Sequence, residues 1–275
     1  MIKKFVYNFE VMSTPCILII YTNNKHLADS SAKSVLNEAK RLEIKYNFYD
    51  ENSFLSKINS RKLNTLDQES KNLLQRAKQY YKSTNGVFDI TIATIKNLYK
   101  DEVKIKSLES KKASLTPFIG CENFNIKKNK IIFNNEYTKI DLGGFVKEYA
   151  VDRAVMILKK DKISSALINF GGDIYAIGKK PNGKKFLIGI KDPENTDIYA
   201  KEVEIEDEAL TTSASYERNY TVESNVYSHI ISKDDLNSTN KSVSVISSSC
   251  VESGVYSTAL MIDSSIITNN KVIVL

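Results

Sequence analysis

Glycine is what most restricts this chain. It has only ten among 275 residues, and seven of them fall between Gly143 and Gly189. Two Gly-Gly pairs anchor that stretch. Gly143-Gly144 follows Asp141-Leu142, and Gly171-Gly172 sits between Asn169-Phe170 and Asp173. Glycine admits positive φ and lets a ligand approach the backbone closely. A chain poor in glycine that gathers it here is shaping a backbone surface. The first pair also opens an amphipathic helix, and helix N-termini attract phosphate.

Helix and strand patterns mix around this region without a regular βαβ rhythm. Phe5, Tyr7 and Phe9 alternate and residues 17–21 run apolar, which predicts two strands around a turn at Ser13-Thr14-Pro15. Ala28, Ala32, Val35, Ala39, Leu42 and Tyr46 lie on one face of a helix starting near Asp29 or Ser30. Asp67 caps a second helix, which carries Leu73, Leu74, Ala77 and Tyr81 and ends at Asn85-Gly86. Residues 100–115 are lysine-rich and weakly patterned, a surface excursion. Residues 131–133 and 137–140 predict short strands around Asn134-Asn135.

Val151, Ala154, Val155 and Leu158 mark the helix after the first Gly-Gly, and residues 166–170 a buried strand. Residues 185–191, 202–207, 220–231, 242–246 and 271–275 read as strands, and 252–262 as a helix. The class is α+β, with mixed or antiparallel sheets and packed helices, rather than doubly wound α/β. Asp-Leu-Gly-Gly is not Gly-x-Gly-x-x-Gly, so a Rossmann dinucleotide site is a poor fit.

Composition removes several functions. The net charge is +6, but only five of 39 basic residues are arginine and the lysines are spread along the chain. That is a solvated surface rather than a nucleic-acid face. Cys16, Cys121 and Cys250 are too far apart for a disulfide framework, and with only His26 and His229 beside them a structural zinc site is excluded. No apolar run is long enough to span a membrane. Lys3 and Lys4 precede no signal-like apolar stretch, so the expectation is a cytoplasmic protein, or a periplasmic one whose export signal was removed.

Seven segments, in order, resemble the ApbE family of flavin transferases. Met12-Ser-Thr-Pro-Cys16 is similar to the family's Met-Gly-Thr-Pro opening, and Tyr49, Ser53 and Asn59 to its Tyr-x-x-x-Ser stretch. Asn85-Gly-Val-Phe-Asp-Ile-Thr91 is similar to Gly-x-Phe-Asp-x-Thr. Residues 141–152 resemble Asp-Leu-Gly-Gly-x-x-Lys-Gly-Tyr-Ala-x-Asp, and residues 168–174 the Asn-x-Gly-Gly-Asp strand and turn. Thr212-Ser-Ala-Ser-Tyr-Glu-Arg218 and Ser228-His-Ile-Ile231 complete the series.

The resemblance covers nearly the whole chain and implies one two-lobed domain over residues 1–275. It implies Mg²⁺-dependent transfer of FMN from FAD to a threonine hydroxyl of an acceptor flavoprotein, with release of AMP. The alternatives are a non-catalytic FAD-binding homologue and an FAD pyrophosphatase.

Residue by residue, the resemblance assigns FAD contacts to Met12, Tyr49, Val87, Phe88, Asp89, Asp141, Lys147, Gly171, Gly172, Asp173 and Ile231. On residue chemistry alone Phe88-Asp89 is either an apolar wall with an amine-accepting carboxylate or a strand start after a helix end. Tyr49 by itself also suits a core or interface. Lys147 stands near a helix start, where the dipole disfavours a cation unless it meets phosphate; a solvated lysine is the other reading. His229 is a candidate general base through the resemblance, or a hydrogen-bonded strand residue. Arg218 suits an ion pair or the cofactor's vicinity. Gly144 would give its carbonyl to magnesium.

The resemblance breaks at the metal. The family places an Asp and a Thr four residues apart on a late helix, one face of oxygen ligands. Thr258 is present, but Gly254 stands at the Asp position. Glu252, Asp263 and Asp173 are the substitutes considered, the first two falling on other helical faces. An aspartate restored at 254 is expected to raise metal-dependent turnover. The family's Thr-Ser-Gly has become Thr212-Ser213-Ala214, and the Asp-Pro-x-Thr-Gly after His-Ile-Ile has become Ser232-Lys-Asp-Asp-Leu236.

Overall fold

A computed structural model describes residues 1–96, 98, 105–215, 219–222, 225–228 and 240–275. Its strands are β1 (Lys3–Val11), β2 (Thr14–Thr22), β3 (Phe124–Lys127), β4 (Lys130–Phe133), β5 (Ala166–Phe170), β6 (Asp173–Ile177), β7 (Phe186–Lys191), β8 (Tyr199–Ile205), β9 (Glu208–Ala214), β10 (Asn219–Val222), β11 (Asn225–Ser228), β12 (Ser242–Ser247) and β13 (Lys271–Val274). Its helices are α1 (Lys25–Tyr46), α2 (Phe54–Asn59), α3 (Gln68–Ser83), α4 (Ala93–Lys96), α5 (Ile105–Leu115), α6 (Gly143–Lys160) and α7 (Cys250–Ile262). The fold is α+β, as the mixed patterning predicts.

The frame is a seven-stranded sheet in the order β1-β2-β5-β6-β9-β12-β13, antiparallel at every pairing. Helices α1, α6 and α7 pack on one face. Leu18, Ile20, Ile168, Phe170, Val243 and Val245 face them in the main core, with Val151, Ala154 and Leu158 of α6. The β7–β8 hairpin covers part of the other face, where Ile188, Ile190 and Val203 meet Ile174, Leu210 and Ile246. Strand β6 is therefore buried on both sides. Asp173, Tyr175 and Ile177 alternate onto one face, and with Ala209, Thr211 and Ser213 of β9 this face looks toward the helices.

Three local expectations change. α1 starts earlier than Asp29, because Asn24 caps it by accepting the Leu27 N–H at 3.1 Å. The β1–β2 turn is Met12-Ser13, so Thr14 and Pro15 already belong to β2. Residues 137–140 form no strand. The Asn135 side chain takes the Tyr137 and Thr138 N–H groups at 2.9 and 2.8 Å, as asparagine does in turns. The partner of β4 is β3 instead.

In the stretch expected to be an excursion, residues 105–115 are helical, with Leu108 buried, while residues 99–104 lie outside the described residues. The three cysteines are free and buried. No helix among the described residues is long and apolar enough to cross a membrane.

Candidate functional site

The first turn of α6 is where the sequence motifs meet. Leu142 stands at its N-cap without a side-chain capping bond, and Asp141 accepts the Gly143 N–H at 2.8 Å instead. Gly144 has φ −89° and ψ 23°, outside helical geometry. A methyl group added there would touch nothing within 4 Å, so this backbone faces open space. The other oxygen of Asp141 pairs with Lys96. The Lys96 ammonium lies 5.4 Å from the Tyr49 ring centroid and 5.7 Å from that of Phe48. Tyr49 is exposed.

The Asp141 N–H donates to the Ile90 carbonyl at 2.9 Å, which ties residues 87–89 to the same turn. Phe88 is buried, its ring 6.0 Å from that of Phe145 in α6, and Val87 is half-buried beside it. Asp89 caps a single 3₁₀ turn, accepting from the Thr91 N–H and hydroxyl at 2.8 and 2.7 Å. Burial pushes the Asp89 carboxyl above its usual range, while the bonds from Thr91 pull the other way.

One helical turn further along α6, Lys147 pairs with Asp173 at 2.7 Å. Asp173 opens β6 directly after Gly171 and Gly172, whose φ values are 61° and 96°. Two positive φ values in a two-residue connection make a hairpin turn that matches the strand twist. A Cβ at Gly171 would collide with the Thr14 side chain, so the missing side chain is what lets β2 in.

Met12 and Ser13 form a similar turn at the same end of the sheet, with φ of 53° and 55°. Neither is glycine, so this turn stores strain, a feature that clusters at functional positions. It is held by the Met12 N–H donating to Glu43 at 2.6 Å.

Further motif segments lie along the α6–α7 seam. Asp152 of α6 accepts the Cys250 and Val251 N–H groups at 2.7 and 3.2 Å. Ser249 accepts the Glu252 N–H at 3.2 Å. Together they satisfy the start of α7, where negative charge also suits the dipole. Burial nevertheless raises the Asp152 carboxyl to about 6, against the pull of those two N–H groups and Arg76.

Hydroxyls then join α7 to β9. Thr211 meets Ser253 at 2.9 Å, and Ser213 meets Ser257 and Thr258 at 2.9 and 3.2 Å. Between these contacts sits Glu148, 6% exposed, with Oε2 buried and lacking a hydrogen-bond partner. Burial raises its carboxyl well above the usual range, the charge of Asp173 adding to the effect and Lys147 opposing it.

Sequence reasoning missed Lys96 and Glu148. Lys96 follows a run of buried residues, Ala93, Thr94 and Ile95, and a lysine at such a position needs a counter-charge. Glu148 stands where the family pattern has glycine, a difference visible in the motif itself. Glu252 and Asp263 are used elsewhere: Glu252 accepts from Asn270 at 3.2 Å, and Asp263 accepts the Ser265 N–H at 2.9 Å.

His229, Ile231 and Arg218 lie outside the described residues. Among the described residues no three His, Cys, Asp or Glu side chains form a metal-holding group. Two cavities, about 300 and 420 Å³, are lined by other residues, among them Gly178 and Asp207 in one and Arg61 and Phe133 in the other.

Known proteins resemble this chain in sequence and in fold. A curated FAD:protein FMN transferase from Chlamydia pneumoniae is 28% identical over 226 residues, 78% of this chain and 70% of that protein. One from Vibrio cholerae is 26% identical over 263 residues, 89% of this chain and 77% of its own length. The crystal structure of the ApbE protein from Thermotoga maritima superposes with a TM-score of 0.85 at 25% identity, covering 94% of this chain and 87% of that one. The flavin transferase ApbE from Vibrio cholerae superposes with a TM-score of 0.81 at 19% identity, over 100% of this chain and 97% of that one, a likeness of fold. The ApbE family model matches residues 12–266, from the strained Met12 turn through the whole α6–α7 seam, and the chain belongs to the ApbE family.

Proposed function

We propose that this protein, acting as one domain over residues 1–275, is an FAD:protein FMN transferase that moves FMN from FAD to a threonine hydroxyl of an acceptor flavoprotein. The observation that carries the reading is the convergence on the first turn of α6. Asp141 and residues 87–89 reach it through direct contacts, and one turn further on Lys147 ties the Gly171-Gly172 turn to the same helix through Asp173. A dinucleotide needs that combination: apolar walls for two flat ring systems and cations for the charged bridge between them. The names of the curated relatives favour transfer over simple FAD binding or hydrolysis.

In this reading the half-buried Val87 and Met12 and the exposed Tyr49 line the rings, while Asp89 and Asp141 accept from amine or hydroxyl groups. Lys147 and Lys96 hold phosphate charge, and the Gly171-Gly172-Asp173 turn and Ile231 complete the contact surface. The acceptor threonine oxygen attacks the phosphorus on the FMN side. Its proton passes to His229, the bond from phosphorus to the bridging oxygen breaks, and AMP leaves. The protein's work is positioning and charge stabilisation.

A magnesium ion fits the seam on one observation: Glu148 Oε2 is a buried carboxylate oxygen with no hydrogen-bond partner, which a hard cation relieves. The Gly144 carbonyl and the Thr258 hydroxyl would join in holding the ion, which when bound neutralises charge on the pyrophosphate.

The test is incubation with FAD, Mg²⁺ and a threonine-bearing acceptor peptide, read by mass spectrometry and nucleotide chromatography. Covalent FMN on the peptide with stoichiometric AMP is expected. Bound FAD left intact after hours would overturn the reading.

A further inference from the structure

The seam contains a steric exchange. A Cβ built on Gly254 would stand 2.6 Å from Glu148 Cγ and 3.0 Å from its Oε1. Real side-chain carbons do not approach so closely, and Glu148 cannot swing away because it is 6% exposed among packed helices. The space that a side chain at 254 would enter is therefore filled from the neighbouring helix.

What fills it is a carboxylate. On α6, Glu148 follows Gly144 by four residues, and on α7, Thr258 follows Gly254 by four. Each pair shares a helix face, and the two helices pack together. Glu148 thus shares a face of α6 with Gly144, and it reaches Gly254, which shares a face of α7 with Thr258. A buried carboxylate oxygen with no partner is costly, so a residue that served only to fill volume would be apolar.

We propose that Glu148 is the metal-facing carboxylate of this chain, supplied from α6 into the position that the family pattern fills with an aspartate from α7. The two departures from the pattern, glutamate for glycine at 148 and glycine for aspartate at 254, are then one relocation. The ion's carboxylate ligand is kept and its donor helix has changed. This inference rests on the transferase reading, since that reading is what calls for the ion.

It also reverses the expectation drawn for Gly254. An aspartate placed there beside an intact Glu148 collides with it instead of repairing the site.

The test is a four-protein cycle of wild type, Glu148→Gly, Gly254→Asp and the double variant, with Glu148→Gln as the isosteric control. Mn²⁺ binding is measured by calorimetry and by the rise in Tm on adding Mn²⁺, and FAD binding by flavin fluorescence quenching.

Wild type binds Mn²⁺, while Glu148→Gln and Glu148→Gly bind it at least tenfold more weakly. Gly254→Asp lowers Tm and gains no affinity. The double variant returns to within about threefold of wild type. Mn²⁺ affinity unchanged in Glu148→Gln, or a folded double variant no better than Glu148→Gly, would overturn the relocation. Wild type failing to quench FAD fluorescence would instead overturn the transferase reading.

Discussion

Two carboxylate clusters flank α6, and they are treated in opposite ways. The outer one joins α6 to α1 and α3. Arg41 holds Glu69 at 2.6 Å and Glu38 at 2.8 Å, Lys45 holds Glu69 at 2.7 Å, and Arg153 holds Glu38 at 2.8 Å. Every acid there has a cation, and the carboxyls fall. Hydrogen bonds from Arg41 lower Glu38. Burial alone would raise Glu69, but Arg41 and Lys45 outweigh it and hold the carboxyl at about 2.

The inner cluster, Glu148, Asp152 and Asp173, is more deeply buried. Lys147 is the one cation that an ion pair places on it among the described residues. Burial raises all three carboxyls. The outer cluster is balanced and holds helices together. The inner one sets three buried carboxyls against one ion-paired lysine, so its acids resist ionisation instead of being held in the charged form.

Removing the ion-paired inner lysine is expected to cost most. Lys147→Met leaves the buried Asp173 uncompensated and should destabilise the fold by about 3 kcal/mol in urea unfolding. A loss below about 1 kcal/mol would mean that Asp173 is otherwise satisfied.

The next largest effect is in pH dependence. Asp152 has a folded value of about 6 against an ordinary 3.8. Because the folded value is raised, its contribution to stability is present at low pH and is lost as pH rises through the interval between them. Asp152→Asn keeps one acceptor for the start of α7 and should flatten that fall, a change of at most about 3 kcal/mol across the interval. Parallel stability curves for wild type and variant would break the contrast.

Smallest is the outer cluster. Glu69 is depressed from 4.5 to about 2, so its contribution is present above 4.5 and is lost as pH falls toward 2. Glu69→Gln should cost about 1 kcal/mol at neutral pH and remove that acid-side slope.

The elements with plain periodicity were legible in the sequence. α1, α3, α6, the β1–β2 pair and β5 each carry an apolar stripe or alternation, and the structure gives them with boundary shifts that caps explain. β6 was not legible, because Asp-Ile-Tyr-Ala-Ile is buried on both faces and shows no alternation. β9 was missed because its Thr211 and Ser213 look polar until α7 arrives to pair with them.

The motif segments around Asp141, Lys147 and the second Gly-Gly were readable as a group, and the structure joins them along the first two turns of α6. That Glu148 and Gly254 share one volume was not readable, because it depends on the packing of two helices distant in sequence.

The close approach of Glu148 to Gly254 also constrains ancestry. Suppose the two forms, acid on α7 or acid on α6, are connected by single substitutions. One intermediate then carries both acidic side chains in room for one, and the other carries neither and keeps a stable but empty crevice. Strain blocks the first route far more than lost affinity blocks the second. A lineage reaching the present sequence would therefore have passed through a stage with glycine at both positions.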